Sequence, residues 1–203
     1  VGLLFLSIGL GFLYPSPFLF AAAAIGAAAF LYCQGRILHS GKGIPSWRVS
    51  QMPSMLIATG LLEGTGLFVL LSFTSETEIS PSSPILPLAI LLILLNSFLW
   101  RRYMRNLKTW GIGPIDRNIL NRITPKLYIT GYILPLILFG AIFLNFTSLS
   151  LLAQIAGFLT IMGGVLWKAI VITQACHMQN FSLGKLPQRG SGKFAAPINI
   201  LGK

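Results

Sequence analysis

Charge is scarce in this sequence, and charge of one sign scarcer still. Charged residues make up 9% of the 203, and only four of them are acidic against 15 Lys and Arg, where an ordinary soluble domain carries about 25% charged residues. With 54% apolar residues and a mean hydropathy of +0.77, the composition excludes a soluble globular domain and predicts a polytopic membrane protein. Two cysteines, Cys33 and Cys176, are too few for an iron–sulfur cluster, which needs about four thiolates, or for a disulfide framework, and read as inert packing thiols. The apolar spans offer no pair of histidines at the depth of axial haem ligands, so no haem is expected. Asp116 is the single aspartate, and Glu76 and Glu78 fall outside the spans. That leaves no carboxylate cluster for Mg²⁺ chemistry and no metal site in the chain. No Ser-His-Asp or Cys-His arrangement is evident within the spans, which disfavours self-contained catalysis, including a lipid-modifying enzyme.

The net charge of +11 would suggest nucleic acid on a soluble protein. Here Lys and Arg flank apolar runs and form no aromatic-interleaved groove, so membrane topology accounts for them and nucleic acid does not. About 20 apolar residues cross the hydrocarbon, and six segments serve: Val1–Tyr14, Pro17 to Leu38, Pro53–Phe73, Pro84 to Tyr103, Pro125–Phe146 and Leu149 to Thr173. The expected fold is therefore all-α, a transmembrane helix bundle over residues 1–176 followed by a basic cytoplasmic tail over 177–203. Ser16-Pro17, Ser83-Pro84 and Thr124-Pro125 each pair a capping side chain with a proline in the first turn. Pro135 should bend its helix and free a carbonyl near mid-membrane. Arg36, Lys42 and Arg48 lie in one loop. Arg101, Arg102, Arg105, Lys108, Arg117, Arg122 and Lys126 lie in another, and Lys185, Arg189, Lys193 and Lys203 in the tail. The alternate loops carry no Lys or Arg, which puts both ends of the bundle's chain on the cytoplasmic side. The first segment has no charged n-region and reads as a transmembrane helix whose start is missing, not as a signal peptide. No internal repeat supports an inverted-repeat transporter.

Against this background one carboxylate stands out. Glu63 lies about ten residues into the third segment, roughly 15 Å deep, within Gly60-Leu-Leu-Glu63-Gly64-Thr-Gly66. An acid at that depth must be protonated, paired or beside a protein-lined cavity, and such groups mark proton or ligand sites. Gly60 and Gly64, four apart, share a face where a helix or a flat ligand approaches the backbone closely. The plainer alternative is a small-residue helix contact with a protonated Glu63 bonded to a neighbour such as Asn96. Trp47 and Arg48 are placed at the cytoplasmic interface, as lipid anchors or as the mouth of a site. His39 and His177 lie near the same face, solvated or as hydrogen-bond partners to a carbonyl. Lys168, after Trp167, reads most simply as snorkelling to the interface.

Three stretches carry a resemblance: Leu31-Tyr-Cys-Gln-Gly-Arg-Ile-Leu-His39 with Lys42-Gly-Ile-Pro-Ser-Trp-Arg48, then Ala58-Thr-Gly-Leu-Leu-Glu-Gly-Thr-Gly66, and last Lys168-Ala-Ile-Val-Ile-Thr-Gln-Ala-Cys-His-Met-Gln-Asn-Phe-Ser-Leu183 with Pro187-Gln-Arg-Gly190. Together they resemble the membrane-anchor subunits of the dimethyl sulfoxide reductase and polysulfide reductase family, particularly anchors of the phenylacetyl-CoA acceptor type. The resemblance covers nearly the whole chain. It implies eight helices of which six are present, two N-terminal helices and their linker lying outside this chain. It also implies no haem, and a quinone pocket beside the docking site of an iron–sulfur subunit, which contacts a molybdopterin catalytic subunit. The host membrane would be the inner membrane of a bacterium or archaeon. On this reading the chain is a non-catalytic, quinone-reactive subunit that exchanges electrons and protons with menaquinone or ubiquinone. Glu63 would take a proton, Trp47 and Arg48 would line the mouth, His39 or His177 would bond a carbonyl, and Gly60, Gly64 and Lys168 would complete the surroundings. Family sites also draw on N-terminal residues, so these supply part of a pocket. A proton-coupled transporter or channel using Glu63 is the alternative.

Overall fold

The computed structural model describes residues 16–41, 43–72, 83–109, 112–144 and 150–175. Within them helices joined by short connections make up the chain, with no strand, and five helices are long and apolar enough to cross a membrane. The protein is thus an all-α, multi-pass integral membrane bundle. The first expected segment, Val1–Tyr14, together with Cys176 and the expected tail over 177–203 with His177, lies outside the described residues.

Helix α1 spans Pro17–Ser40, α2 Met52–Ser72 and α3 Ile85–Thr109. Helix α4, Pro114–Leu127, runs through a π-helical turn at Tyr128–Ile133 into α5, Leu134–Phe143. Helix α6 is Ser150–Ala169 and ends in a second π-helical turn, Ile170–Gln174. The ends near Arg36, Arg48, Arg101 and Arg122, which the charge pattern assigns to the cytoplasm, are called inner below.

The α4–α5 span departs from expectation. It starts not at Thr124-Pro125 but eleven residues earlier, at Gly113-Pro114, and Pro125 is carried inside the helix. Pro114 stands at the first helical positions with Asp116 in the first turn, the arrangement that suits the unpaired N–H groups and positive dipole of a helix start. That signal outcompetes Thr124-Pro125, where the Thr124 hydroxyl instead donates to the Leu120 carbonyl at 2.7 Å. Around Pro135, expected to bend its helix and free a carbonyl, the structure shows a change of hydrogen-bond pattern. The turn before it widens to π-helix, and the Leu134 N–H reaches back to Ile129. The helix thereby reorganises its hydrogen bonds around a residue that has no N–H to give.

Helix α2 is the hub, packed on α1, α3 and α6, whereas α1 meets only α2 among the described elements. Small residues permit the tightest crossings, as expected where apolar packing alone drives association. A Cβ on Gly66 would lie 2.7 Å from the Gly157 carbonyl oxygen, and a Cβ on Gly163 would lie 2.6 Å from the Gly131 Cα. Between α2 and α3, Asn96 donates to the carbonyls of Ala58 (3.0 Å) and Leu92 (2.8 Å) and accepts from Thr59 at 2.9 Å. Every polar atom of that amide is satisfied, as burial in an apolar core requires. At the inner end the 41–51 loop folds under the bundle. The Ser46 hydroxyl donates to the Ala175 carbonyl, Trp47 Nε1 to the Val171 carbonyl at 2.9 Å, and the Tyr103 hydroxyl to the Ser46 carbonyl at 3.0 Å.

Candidate functional site

Two faces of α2 divide the work around Glu63. Residues 59, 63 and 66 follow the i, i+4, i+7 stripe and face α6. Gly60, Gly64 and Leu67, rotated by one residue, line a cleft of about 450 Å³. Ala27, Phe30 and Leu31 of α1 form one wall, and Ile161, Val165 and Lys168 of α6 form the other. The cleft exists because α1 and α6 both lean on α2 without meeting each other. Its walls are apolar, and the side chains of Glu63 and Lys168 supply its charge.

Those two are paired, Lys168 Nζ standing 2.5 Å from Glu63 Oε2, with a quarter and a fifth of their side-chain surface exposed. Helical geometry aims them at each other. A Cα–Cβ bond tilts toward the N-terminus of its helix, which is the inner end of α2 and the outer end of α6, so Glu63 leans inward and Lys168 leans toward mid-membrane. Lys168 therefore does not snorkel to the interface. Nor does Glu63 bond Asn96, whose amide is committed to Thr59 and two carbonyls. The second carboxylate oxygen, Oε1, is buried and has no hydrogen-bond partner. It presses on the bare backbone of Gly164, where any Cβ would collide with it. One turn inward, Trp167 Nε1 donates to the Thr59 hydroxyl at 3.0 Å, which locks the α6 stripe in register with α2.

The two glycines of the cleft floor differ. A Cβ at Gly60 would fall 2.6 Å from a Leu31 methyl, so Gly60 is filled by α1. At Gly64 nothing stands within 4 Å, and the backbone is bare to the cleft.

The structure thus brings together Glu63, Gly60, Gly64 and Lys168 and leaves other expected residues elsewhere. Trp47 does not line the cleft. Its indole is bonded to the last turn of α6 and packs on Gly41. Arg48 and His39, both partly buried at the inner end, are also not among the lining residues, and His39 Nδ1 has no hydrogen-bond partner. Cys33 does not pack inside the bundle but is exposed on α1. Gly164, which sequence reasoning did not single out, is the residue that admits the carboxylate. Its neighbour Gly163 gave the available signal, a Gly-Gly pair within a membrane span.

Chemically the site offers one unpaired carboxylate oxygen able to take a proton, one ammonium able to donate to an oxygen, and an apolar slot beside them. No group of three or more His, Cys, Asp or Glu among the described residues could hold a metal ion. Comparison with protein-family models, with curated proteins and with solved structures gives no match.

Proposed function

We propose that the chain is the membrane-anchor subunit of an oxidoreductase complex, exchanging electrons and protons with a quinone held in the cleft between α1 and α6. Bound there, a quinol supplies two electrons and two protons as it becomes a quinone, or the reverse. The observation that carries the reading is the unpartnered Glu63 Oε1 beside a bare apolar slot. A buried acceptor with no donor is unfavourable by about 1–3 kcal/mol unless something uses it, and intramembrane carboxylates are functional by default. Lys168 Nζ has donors beyond the one it gives to Glu63, and these suit a ring carbonyl. In the ion pair the two charges balance, and a proton taken by Glu63 cancels its charge and leaves that of Lys168 unmatched, so the protonated state is poised to pass the proton on. The slot's position at the bundle's surface leaves a path for an isoprenoid tail into lipid.

Electrons need a carrier outside this chain, and the resemblance names its class: an iron–sulfur subunit in contact with a molybdopterin subunit. The exposed basic inner surface, with Arg102, Arg105, Arg117 and Arg122, suits an acidic docking face. Two measurements test the reading. Purification in mild detergent should bring down a partner containing iron and molybdenum. Glu63→Gln should abolish quinol-dependent electron transfer while the complex still assembles. Full turnover in that variant would refute the role of Glu63, and a metal-free, partner-free preparation would favour proton-coupled transport.

A further inference from the structure

Resting on the quinone reading, we infer that Gly64 is the seat of the ligand's ring and the residue that sets what shape of ring the cleft admits. Three glycines surround Glu63, and two are consumed by the protein itself. Gly60 is covered by the Leu31 methyls and Gly164 by the Glu63 carboxylate. Gly64 alone of the three carries nothing on it, with no atom of a neighbouring helix within 4 Å of where a Cβ would be. Gly140 is equally bare, but Gly64 opens into the cleft that Glu63 and Lys168 also line, and a mid-helix glycine there, with no packing contact in return for its low helix propensity, points to an occupant that is not part of the chain. The space above it is bounded by Leu31 on the inner side and Leu67 on the outer side. Phe30 and Val165 form the walls.

A flat ring laid on that backbone has its edge at the Glu63–Lys168 pair, because Glu63 is the next residue around the helix and both members of the pair line the same cleft. A side chain at position 64 would take the ring's place, its Cβ meeting no atom of a neighbouring helix. That separates Gly64 from its neighbours, where substitution disturbs the bundle first.

The test is equilibrium binding of menadione, a naphthoquinone without an isoprenoid tail, to the full chain in mild detergent, read by quenching of tryptophan fluorescence. Thermal unfolding is followed on the same samples. Gly64→Ala should weaken binding about tenfold and Gly64→Leu should abolish it, both with an unfolding temperature at or above that of the unaltered protein, since each replacement is a better helix former than glycine. Gly60→Ala, by contrast, should lower the unfolding temperature. Menadione binding within twofold of the original in Gly64→Leu would overturn the assignment of Gly64 and leave the quinone reading standing. Failure of the unaltered protein to bind menadione at all would remove that reading, and the seat with it.

Discussion

A carboxylate and an ammonium 2.5 Å apart at mid-depth in a bilayer neutralise each other, so neither carries the penalty of an isolated ion in hydrocarbon. Removing one partner restores that penalty, and removing both does not. Lys168→Met should therefore destabilise the protein by about 3 kcal/mol, the lower end of the range for breaking buried pairs because both side chains are partly exposed. The Glu63→Gln, Lys168→Met double variant should recover most of that loss. Thermal unfolding of the four proteins in one detergent measures the coupling. Additive losses would mean that the two groups do not stabilise one another. Glu63 was legible in the sequence because a lone acid inside 20 apolar residues admits few explanations. Its partner was not. The two are 105 residues apart, and a lysine near a helix end ordinarily reaches for the interface; only the relative direction of α2 and α6 turns Lys168 toward mid-membrane. The role of Gly164 was hidden for the same reason, since a glycine's task depends on what lies across from it.

Between elements, the loop under the bundle does more than connect α1 to α2. Where α6 loosens into its π-helical turn, Trp47 and Ser46 accept the task of capping it, bonding the carbonyls of Val171 and Ala175. Trp47→Phe keeps an aromatic ring over Gly41 but removes the Nε1 donor. The expected loss is about 1 kcal/mol of local stability, read as roughly fivefold faster amide exchange over 170–175 with little change elsewhere. Unchanged exchange there would show that the indole is merely packed. Sequence placed Trp47 at the right depth, since aromatic rings favour the membrane boundary, but a lipid anchor and a helix-capping donor have the same one-letter code. The misjudged start of α4 has a similar cause. Thr124-Pro125 is a sound start signal taken alone, and only competition with Gly113-Pro114 and Asp116 demotes it. Span length and apolarity, by contrast, require no partner to be read, and α1, α2, α3 and α6 begin within one residue of their expected positions.

For the whole molecule, the described arginines on α1, the 41–51 loop, α3 and α4 all fall at one end of an antiparallel bundle. The packing fixes the alternating directions of the helices relative to one another, and the positive-inside bias supplies the expectation of which side is cytoplasmic. The charge pattern predicts that Ile112 lies on the cytoplasmic side and Leu144, at the exposed end of α5, on the opposite side. With Cys33 and Cys176 replaced by serine, Ile112→Cys should react with a membrane-impermeant maleimide only in inverted vesicles, and Leu144→Cys only in right-side-out ones. The reverse pattern would invert the bundle and carry the basic surface to the other compartment. The cleft itself would be unaffected, because it opens between helices within the span, at a depth set by the middle of α2. Proton exchange at Glu63 would then be referred to a different side of the membrane. The chemistry proposed for the site is therefore independent of orientation, whereas any docking partner drawn to the arginines is not, and the labelling experiment tests the second without touching the first.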